Sequence, residues 1–268
     1  MEKSTEKLKL VFLGCTKFSE EILSELISKV DNAEIKLIFS TPKKFKISYS
    51  KKKVKNFNYS NLEHIAKKNN IDYYQINHEK GENITDFYKT ILSVKPDIIL
   101  VMGWYYMVPK KIRETAKLGA WGIHASLLPD YAGGAPLVWA IINGEKKTGV
   151  SLFKLENGVD DGDIISQKEF DIKENDNIND VYKKATKASK KILLEILGTT
   201  KDYKFKPQDK SKIKIYPQRK PEDGEINVNW SADKIHDFIR AQTKPYPGAF
   251  FIINGKKITI WDAKIENL

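Results

Sequence analysis

The stretch DIILVMG, residues 97–103, decides the fold class because its apolar residues follow one another without polar alternation. Such a strand is buried on both faces, which is typical of a parallel sheet covered by helices. Further strands are predicted over residues 7–14, 35–41, 71–76 and 119–126. Helices are predicted between them, over residues 18–30, 61–70, 84–94 and 108–116. This alternation predicts an α/β fold with a mostly parallel sheet that carries helices on both faces.

The pattern changes near residue 148. Two strands, 148–155 and 164–172, are predicted on either side of the loop ENGVDDGD, and a long amphipathic helix follows at 177–197, with Asn177 as its N-cap. The next residues are polar and rich in lysine and proline, which predicts a linker. A helix at 231–242 and two strands, 248–253 and 256–263, are predicted in the tail, with an Asn-Gly turn at 254–255. The sequence therefore predicts a large domain over residues 1–200, then a linker and small α+β subdomain over 201–268.

Composition limits the classes of protein that this chain can belong to. It has 268 residues, of which 41% are hydrophobic, so a globular fold is expected. Cys15 is the single cysteine, which excludes an intrachain disulfide and a cysteine-rich metal site. We find no apolar run long enough for a membrane span and no secretory signal at the N-terminus. We expect a cytoplasmic protein without a metal or a membrane partner.

The net charge of +11 comes almost entirely from lysine, since Arg113, Arg219 and Arg240 are the only arginines. Proteins that recognise nucleic acid sequences rely on arginine for bidentate contacts to bases, so a nucleic acid partner is not expected. These lysines are expected to form a solvated surface, and the alternative is that the charge attracts an anionic small substrate such as a nucleotide diphosphate. The basic stretch 43–57 is predicted as a solvated loop, with contact to substrate phosphates as the alternative.

His124 lies near the end of a predicted strand, in the sequence GIHASLLP. In open parallel sheets, ligands bind beyond the carboxyl ends of the strands, although a lone histidine on a strand is more often structural. The loop ENGVDDGD contains Asp160, Asp161 and Asp163. These residues are compatible with a solvated turn, with a cation site, or with a carboxylate that pairs with His124.

Other polar residues give weaker signals. His64, His78 and His236 are expected on the surface or in packing. The turn LGCTKFS, residues 13–19, lies between a strand and a helix, so Gly14 and Lys17 are candidates for binding an anionic substrate. No partner for a nucleophilic Cys15 is visible in the sequence, so a packing role is expected for it.

Residues 122–165 resemble the folate-dependent formyltransferases, a superfamily that includes the methionyl-tRNA, glycinamide ribonucleotide and sugar N-formyltransferases. Its signature is Asn-x-His, Ser-Leu-Leu-Pro, Gly-x-x-Pro, Thr-Gly-Val-Thr/Ser and Gly-x-Asp-x-Gly. The matching residues are His124, 126–129, Gly133 with Pro136, 148–151 and 158–162, in this order. Several short motifs at the correct mutual spacing make the resemblance specific.

The resemblance implies a Rossmann-like catalytic domain and 10-formyltetrahydrofolate as the formyl donor. It also implies that His124 and Asp160 belong to a catalytic Asn-His-Asp set, in which a histidine tuned by a carboxylate moves protons. Two positions depart from the family pattern. Gly122 stands where the family has the asparagine that donates to the formyl oxygen, so His124 as imidazolium, Ser126, a backbone amide or a water would have to replace it. Ala132 stands where relatives commonly carry arginine.

The loop VMGWYYMVPK, residues 101–110, resembles the pterin-binding loop of the sugar N-formyltransferases, in which Gly-Trp replaces smaller residues. The folate-binding residues that this resemblance implies are Gly103, Trp104, Tyr105, Tyr106, Met107, Val108, Leu128, Leu155 and Asn157. The implied acceptor is a nucleotide-linked 4-amino-4,6-dideoxy sugar destined for lipopolysaccharide or O-antigen.

Two other functions are kept as alternatives. The shared core and the positive charge also fit a methionyl-tRNA formyltransferase, although the tRNA enzyme would continue beyond IWDAKI into a full C-terminal barrel. The missing asparagine at Gly122 fits a non-catalytic relative that binds folate or nucleotide. Tyr246, Pro247 and the strand GAFFII are candidates for homodimer contacts, with burial in the core as the alternative.

Overall fold

A seven-stranded sheet is the centre of the computed structural model, which describes residues 6–45, 54–56, 58–199 and 202–266. Its strands are β1 (Leu8–Leu13), β2 (Ala33–Ser40), β3 (Asp72–Gln75), β4 (Ile98–Val101), β5 (Ala120–His124), β6 (Lys147–Lys154) and β7 (Ile164–Asp171). Their order across the sheet is β7-β6-β5-β4-β1-β2-β3. The first five strands are parallel, and β6 and β7 are antiparallel to their neighbours. The mostly parallel sheet is therefore confirmed.

Both faces of this sheet are buried. In β1, Leu10 and Phe12 point into the larger hydrophobic cluster, whereas Val11 and Leu13 point into a second cluster on the opposite face. Alternate side chains of a strand point to opposite faces, so a continuous apolar run is what a sheet with two covered faces requires.

Helices cover the two faces unequally. The α-helices are α1 (Lys17–Lys29), α2 (Glu63–Lys68), α3 (Tyr88–Ser93), α4 (Lys110–Arg113), α5 (Pro136–Ile142), α6 (Ile178–Gly198) and α7 (Ala232–Ala241). The buried residues of α1, α2, α5, α6 and α7 join the larger cluster, and those of α3 and α4 join the second. The long helix begins as predicted, since the side chain of Asn177 accepts a hydrogen bond from the Asn179 amide. No helix within the described ranges has an apolar stretch long enough to cross a bilayer.

The predicted helix over 108–116 is wrong in length, because α4 ends at Arg113. Beyond it, the amides of Lys117 and Leu118 donate to the carbonyls of Pro96 and Asp97, ahead of β4. These tertiary hydrogen bonds draw the backbone out of the helical path. The predicted helix over 84–94 begins as a 3₁₀ turn over Ile84–Phe87 before α3.

The C-terminal part contains α7 and a hairpin of β8 (Ala249–Ile253) and β9 (Lys256–Ile260). Asn254 and Gly255 have φ values of +50° and +70°, the conformation that a two-residue hairpin turn requires. The predicted Asn-Gly turn is therefore present. Phe250 is buried, whereas Ile252 and Ile253 are exposed. A homodimer through this hairpin stays a prediction.

Two parts of the segment predicted as a linker pair with other backbone segments, one in a separate two-stranded sheet and one at the edge of the main sheet. Ile215 and Tyr216 form a short parallel ladder with Ala132 and Gly133. Lys206 makes an antiparallel bridge with Ile164, at the start of β7. Composition could not reveal this pairing, because backbone ladders do not require apolar side chains. The basic stretch 43–57 falls largely on residues 46–53 and 57, which lie outside the described residues.

Candidate active site

His124 and Asp160, predicted as a pair from distant parts of the chain, lie side by side. His124 is the last residue of β5, and Asp160 is in the loop between β6 and β7. The distance from His124 Nδ1 to Asp160 Oδ2 is 3.4 Å, and their side chains are only 10% and 21% exposed. β6 runs antiparallel to β5 and ends beside Trp121, near the start of β5. The loop that follows β6 must therefore return along β5 to bring Asp160 to His124.

Backbone groups of the loop 131–133 hold both side chains. His124 Nε2 donates to the carbonyl oxygen of Tyr131 at 2.7 Å, and Asp160 Oδ2 accepts from the amide of Gly133 at 2.8 Å. The φ values of Tyr131, Gly133 and Asp160 are +55°, +93° and +51°, in the left-handed region. Both ring nitrogens of His124 therefore face oxygen atoms, and a doubly protonated imidazolium would donate to both.

Ser126, a candidate oxyanion donor, is buried and already bonded. Its hydroxyl donates to the carbonyl of Asp130, and its own carbonyl accepts from Ser151 Oγ at 2.7 Å. Ser151 Oγ also accepts from the Leu128 amide at 3.0 Å. This network orders the loop after β5, so Ser126 fits the supporting role better than direct donation to a substrate.

Gly122 lies on the same face of β5 as His124, since the two residues are two positions apart along the strand. A Cβ atom added at Gly122 would be 3.0 Å from Leu155 Cδ2 and 3.5 Å from Phe153 Cε1. The space beside the family's asparagine position is therefore apolar, and a side chain there would push Leu155 by a few tenths of an ångström.

The predicted folate loop, residues 103–108, follows the carboxyl end of β4, next to β5. Trp104, Val108 and Leu155 come together in the second hydrophobic cluster. Leu155 also packs against the small cluster that contains Leu128, so it links the loop after β4 with the loop after β5. Four of the predicted folate-binding residues thus form an apolar wall from two clusters that Leu155 joins, and Leu155 lies next to the Gly122 position of β5.

The aromatic residues of this loop point to two sides. Tyr105 donates to Asn56 Oδ1 at 3.2 Å, away from the apolar wall. Trp104, Tyr106 and Met107 line a cavity of about 230 Å³ together with His78. The ring centroids of His78 and Tyr106 are 3.6 Å apart. His78 therefore packs against an aromatic ring, which is one of the two roles expected for it.

Two nitrogen atoms beside this cavity, Trp104 Nε1 and His78 Nε2, are buried without a hydrogen-bond partner. Burial lowers the pKa of His78 below its ordinary value. An aromatic cavity with an unsatisfied N–H donor can accept a polar heteroaromatic group.

Sequence reasoning missed Arg113, which is 7% exposed. Its guanidinium donates to the Leu155 carbonyl at 2.6 Å and to Asn157 Oδ1. Arg113 therefore fixes the start of the loop that carries Asp160, and Asn157 uses its oxygen on this arginine. An arginine in a chain whose positive charge is nearly all lysine was the available signal, because arginine forms such forked contacts better than lysine does.

The turn after β1 is tightly packed. A Cβ at Gly14 would meet the Met102 carbonyl oxygen and Ser19 Cβ, each at 2.6 Å. Cys15 is buried beside the Gly103 carbonyl, and burial raises its pKa to about 11. Cys15 is thus a packing residue, as predicted, with little thiolate at neutral pH. Lys17, at the start of α1, is exposed.

The described residues contain no cluster of three or more His, Cys, Asp or Glu side chains that could hold a metal ion. At this edge of the sheet, the imidazole of His124 and the carboxylate of Asp160 face each other and are largely buried. Such a pair can accept, hold and return a proton next to a bound organic substrate.

Comparison with known proteins gives the same family over most of the chain. Residues 8–197 match the formyl transferase family, and residues 219–268 match the formyl transferase C-terminal domain. The chain is 36% identical over 257 residues to the bifunctional polymyxin resistance protein ArnA of Wigglesworthia glossinidia brevipalpis. The match covers 95% of the chain but only 36% of that relative, so the chain spans about a third of its length.

A methionyl-tRNA formyltransferase of Caldicellulosiruptor saccharolyticus is 31% identical over 262 residues, which cover 97% of this chain and 81% of that protein. Among solved structures, the N-formyltransferase of Helicobacter canadensis, in complex with folinic acid and dTDP-3-aminofucose, superposes with a TM-score of 0.68 at 22% identity. The superposition covers 94% of this chain and 86% of that one. At this identity the structural match concerns the fold alone. The family match and the 31% identical relative decide the assignment, and the chain belongs to the formyl transferase family.

Proposed function

We propose that this protein is a folate-dependent N-formyltransferase that moves a formyl group from 10-formyltetrahydrofolate to the amino group of a nucleotide-linked amino sugar. The observation that carries the proposal is the buried pair of His124 and Asp160, whose facing atoms are 3.4 Å apart at the carboxyl edge of the sheet. Ligands of open α/β sheets bind at this edge.

The residues beside the pair fit a reduced pterin. Val108 and Leu155 supply an apolar surface, and Trp104 Nε1 is a buried donor without a partner. A pterin ring is flat and carries acceptor atoms, so it could satisfy such a donor while its face packs against aliphatic side chains. When bound, 10-formyltetrahydrofolate supplies an activated formyl group.

The chain's own residues supply the proton chemistry. Asp160 stabilises a positive charge on His124 through Nδ1, and the Tyr131 carbonyl orients the ring through Nε2. The attacking amine must lose a proton and the departing nitrogen must gain one. In this proposal, the His124–Asp160 pair takes up the first proton and returns the second.

Three features support an amino sugar as the acceptor. The loop Trp104-Tyr105-Tyr106 resembles that of the sugar N-formyltransferases. The net charge of +11 suits an anionic diphosphate. The Helicobacter canadensis enzyme has a dTDP-linked amino sugar in its crystal structure. The role in surface-glycan synthesis and the cytoplasmic location stay predictions.

The test is an incubation of the purified protein with 10-formyltetrahydrofolate and a panel of dTDP-, GDP- and UDP-linked amino sugars. Mass spectrometry should detect one sugar that gains a single formyl group, with release of tetrahydrofolate. A His124→Asn variant, checked for folding by circular dichroism, is the negative control. Absence of product with every sugar in the panel would contradict the proposed acceptor.

Methionyl-tRNA is the second candidate acceptor, because the Caldicellulosiruptor relative matches nearly the whole chain at 31% identity. If methionyl-tRNA is the acceptor, the same protein should form formyl-methionyl-tRNA, and its affinity for tRNA should fall steeply as salt is added. Formylation of methionyl-tRNA, with no reaction of any amino sugar, would favour this candidate.

A further inference from the structure

Two stretches of the segment predicted as a linker contact the loop that carries Asp160 and the loop 131–133 that bonds to both catalytic side chains. The backbone amide and carbonyl of Lys206 form two hydrogen bonds of 2.8 Å with the carbonyl and amide of Ile164, which follows the Asp160 loop. Around Tyr216, the backbone pairs with Gly133, whose own amide donates to Asp160. A segment far away in sequence thus contacts the backbone on both sides of the proposed catalytic pair.

Gln208 makes the contact nearest to the catalytic pair. Its Nε2 donates to the carbonyl oxygen of Asp160 at 2.8 Å and to that of Gly162 at 2.7 Å. One carboxamide nitrogen therefore uses both of its hydrogens to bridge the ends of a three-residue turn.

The turn that Gln208 bridges has two unusual features, a left-handed backbone at Asp160 and a very close approach of two chain segments at Gly162. Asp160 has a φ of +51°, which L-residues seldom adopt. Gly162 approaches the chain so closely that a Cβ there would be 1.8 Å from the carbonyl oxygen of Lys154. A conformation of this kind persists only where surrounding contacts hold it, and Gln208 supplies two of them.

We propose that Gln208 is a positioning residue for formyl transfer, acting through the backbone of Asp160 to keep its carboxylate within reach of His124. The proposal rests on the roles proposed above for His124 and Asp160. The distance of 3.4 Å between these side chains is already long for a hydrogen bond, so a small displacement of the turn would break the contact. A displacement of about 1 Å at a catalytic group can lower the rate about 100-fold.

The neighbouring contact of this segment offers a matched control. Lys210 Nζ pairs with Asp161 Oδ2 at 3.0 Å, and its side chain is 72% exposed. Exposed ion pairs contribute little to stability, and this one does not involve Asp160. A Lys210→Met variant should therefore keep the turn and most of the activity.

The test compares Gln208→Glu, Gln208→Met and Lys210→Met with the parent enzyme on whichever acceptor the incubation described above shows to be formylated. Glutamate at pH 7 has nearly the same shape but no hydrogen to donate, and methionine keeps the length without donors or charge. We expect both Gln208 variants to lower kcat about 10- to 100-fold, with KM for the acceptor and the folate within about threefold of the parent. Lys210→Met should retain kcat within about twofold.

A double-mutant cycle with Asp160→Asn separates positioning from general destabilisation. If Gln208 acts only through Asp160, the double variant Gln208→Glu/Asp160→Asn should be no slower than Asp160→Asn alone. Residual rates can be followed by mass spectrometry over long incubations, and thermal unfolding checks that each variant is folded.

Parent-like kcat in both Gln208 variants, or fully additive losses in the cycle, would overturn the positioning role. Unchanged activity of Asp160→Asn would instead overturn the role proposed for Asp160, so the two failures are distinguishable. If Gln208→Glu does not fold, Gln208→Met decides the question, because it places no charge beside the two carbonyl oxygens.

Discussion

The ends of β1 and β5 lie at the same edge of the sheet but are held in different ways. After β1, Ser19 Oγ accepts from the amides of Cys15 and Thr16, and the side chain of Thr16 caps α1 in return. After β5, by contrast, the His124 side chain contacts the Tyr131 backbone and the Asp160 carboxylate, which lies in another loop. The side chains of the first turn therefore bond to one another within five residues, and the turn also packs against the backbone of Met102 and Gly103. In the second turn, the side chains that meet come from two separate parts of the chain.

This difference has a consequence for function. A turn whose cap is made by residues within it can be interpreted from the neighbouring sequence, and its buried groups serve packing, as Cys15 does. A turn held by distant residues can keep strained residues in place, and catalytic sites often use such residues. Its geometry then depends on those distant contacts. Variants at the β5 end should thus affect turnover first, and variants at the β1 end should affect stability first.

Asp160→Asn should have the largest effect. Removal of the negative charge beside His124 Nδ1 leaves the imidazolium without its stabilising partner, and we expect kcat to fall about 10²- to 10⁴-fold. Steady-state kinetics on the formyl acceptor measures this loss. The control is Asp161→Asn, one residue along the loop, whose carboxylate pairs with Lys210. Equal losses in the two variants would show that the loop, rather than the pair, matters.

Gly133→Ala tests the remote support of the β5 end. Gly133 has a φ of +93°, and a Cβ there would be 2.5 Å from the Tyr216 carbonyl oxygen. We expect the loop to move away from the former linker, with a loss of about 1–3 kcal/mol in stability and a 10- to 100-fold fall in kcat. Thermal unfolding and kinetics measure the two effects. Gly198→Ala, where a Cβ would meet nothing within 4 Å, should change neither appreciably.

Gly122→Asn asks whether the missing family side chain limits the rate. Leu155 Cδ2, at 3.0 Å from the added Cβ, is the end of a flexible side chain and can rotate. An additional donor to the developing oxyanion should raise kcat by up to about 100-fold. Gly122→Ala, which adds the Cβ without the amide, is the matched control. No gain from asparagine over alanine would mean that another group already supplies this hydrogen bond, or that the protein binds its ligands without turnover.

Titration of Cys15, in the turn after β1, should have the smallest effect, which is on the free energy of unfolding at high pH. Its pKa is raised by burial from 9.0 to about 11, so the folded thiol keeps its proton where the unfolded thiol loses it. The stability that burial of the neutral thiol supplies is complete below about pH 9 and is lost as the pH rises towards 11.

Urea unfolding near pH 8 and about pH 11 measures this loss in the parent and in Cys15→Ala. The parent should lose about 2 kcal/mol more than the variant, which has no thiol to titrate. Identical losses would mean that Cys15 is not protected in the folded state. The formyltransferase rate near neutral pH should not depend on Cys15, because the thiolate is scarce there.

The sequence by itself determined the strands, their mostly parallel order and the pairing of His124 with Asp160. Continuous apolar runs such as 97–103 are buried whatever surrounds them, because the hydrophobic effect needs no specific partner. The helix start at Asn177 and the turn at Asn254 were equally predictable, since caps and tight turns depend on a few adjacent residues. The pair was accessible through the spacing of short motifs that resemble a family.

Only the tertiary structure decided how the pair is held. Gln208 and Tyr216 lie in a lysine- and proline-rich stretch whose composition is typical of a linker. The side chain of Gln208 nevertheless donates to backbone carbonyls of the Asp160 loop, and the backbone of Tyr216 pairs with that of Gly133. Arg113 fixes the start of the Asp160 loop in the same way, from the helix after β4. Bonds to backbone carbonyls leave no signature in the partner's side chain, so no pattern of residue types predicts them. Local hydrophobicity and turn chemistry gave the sheet, and long-range polar contacts gave the site its geometry.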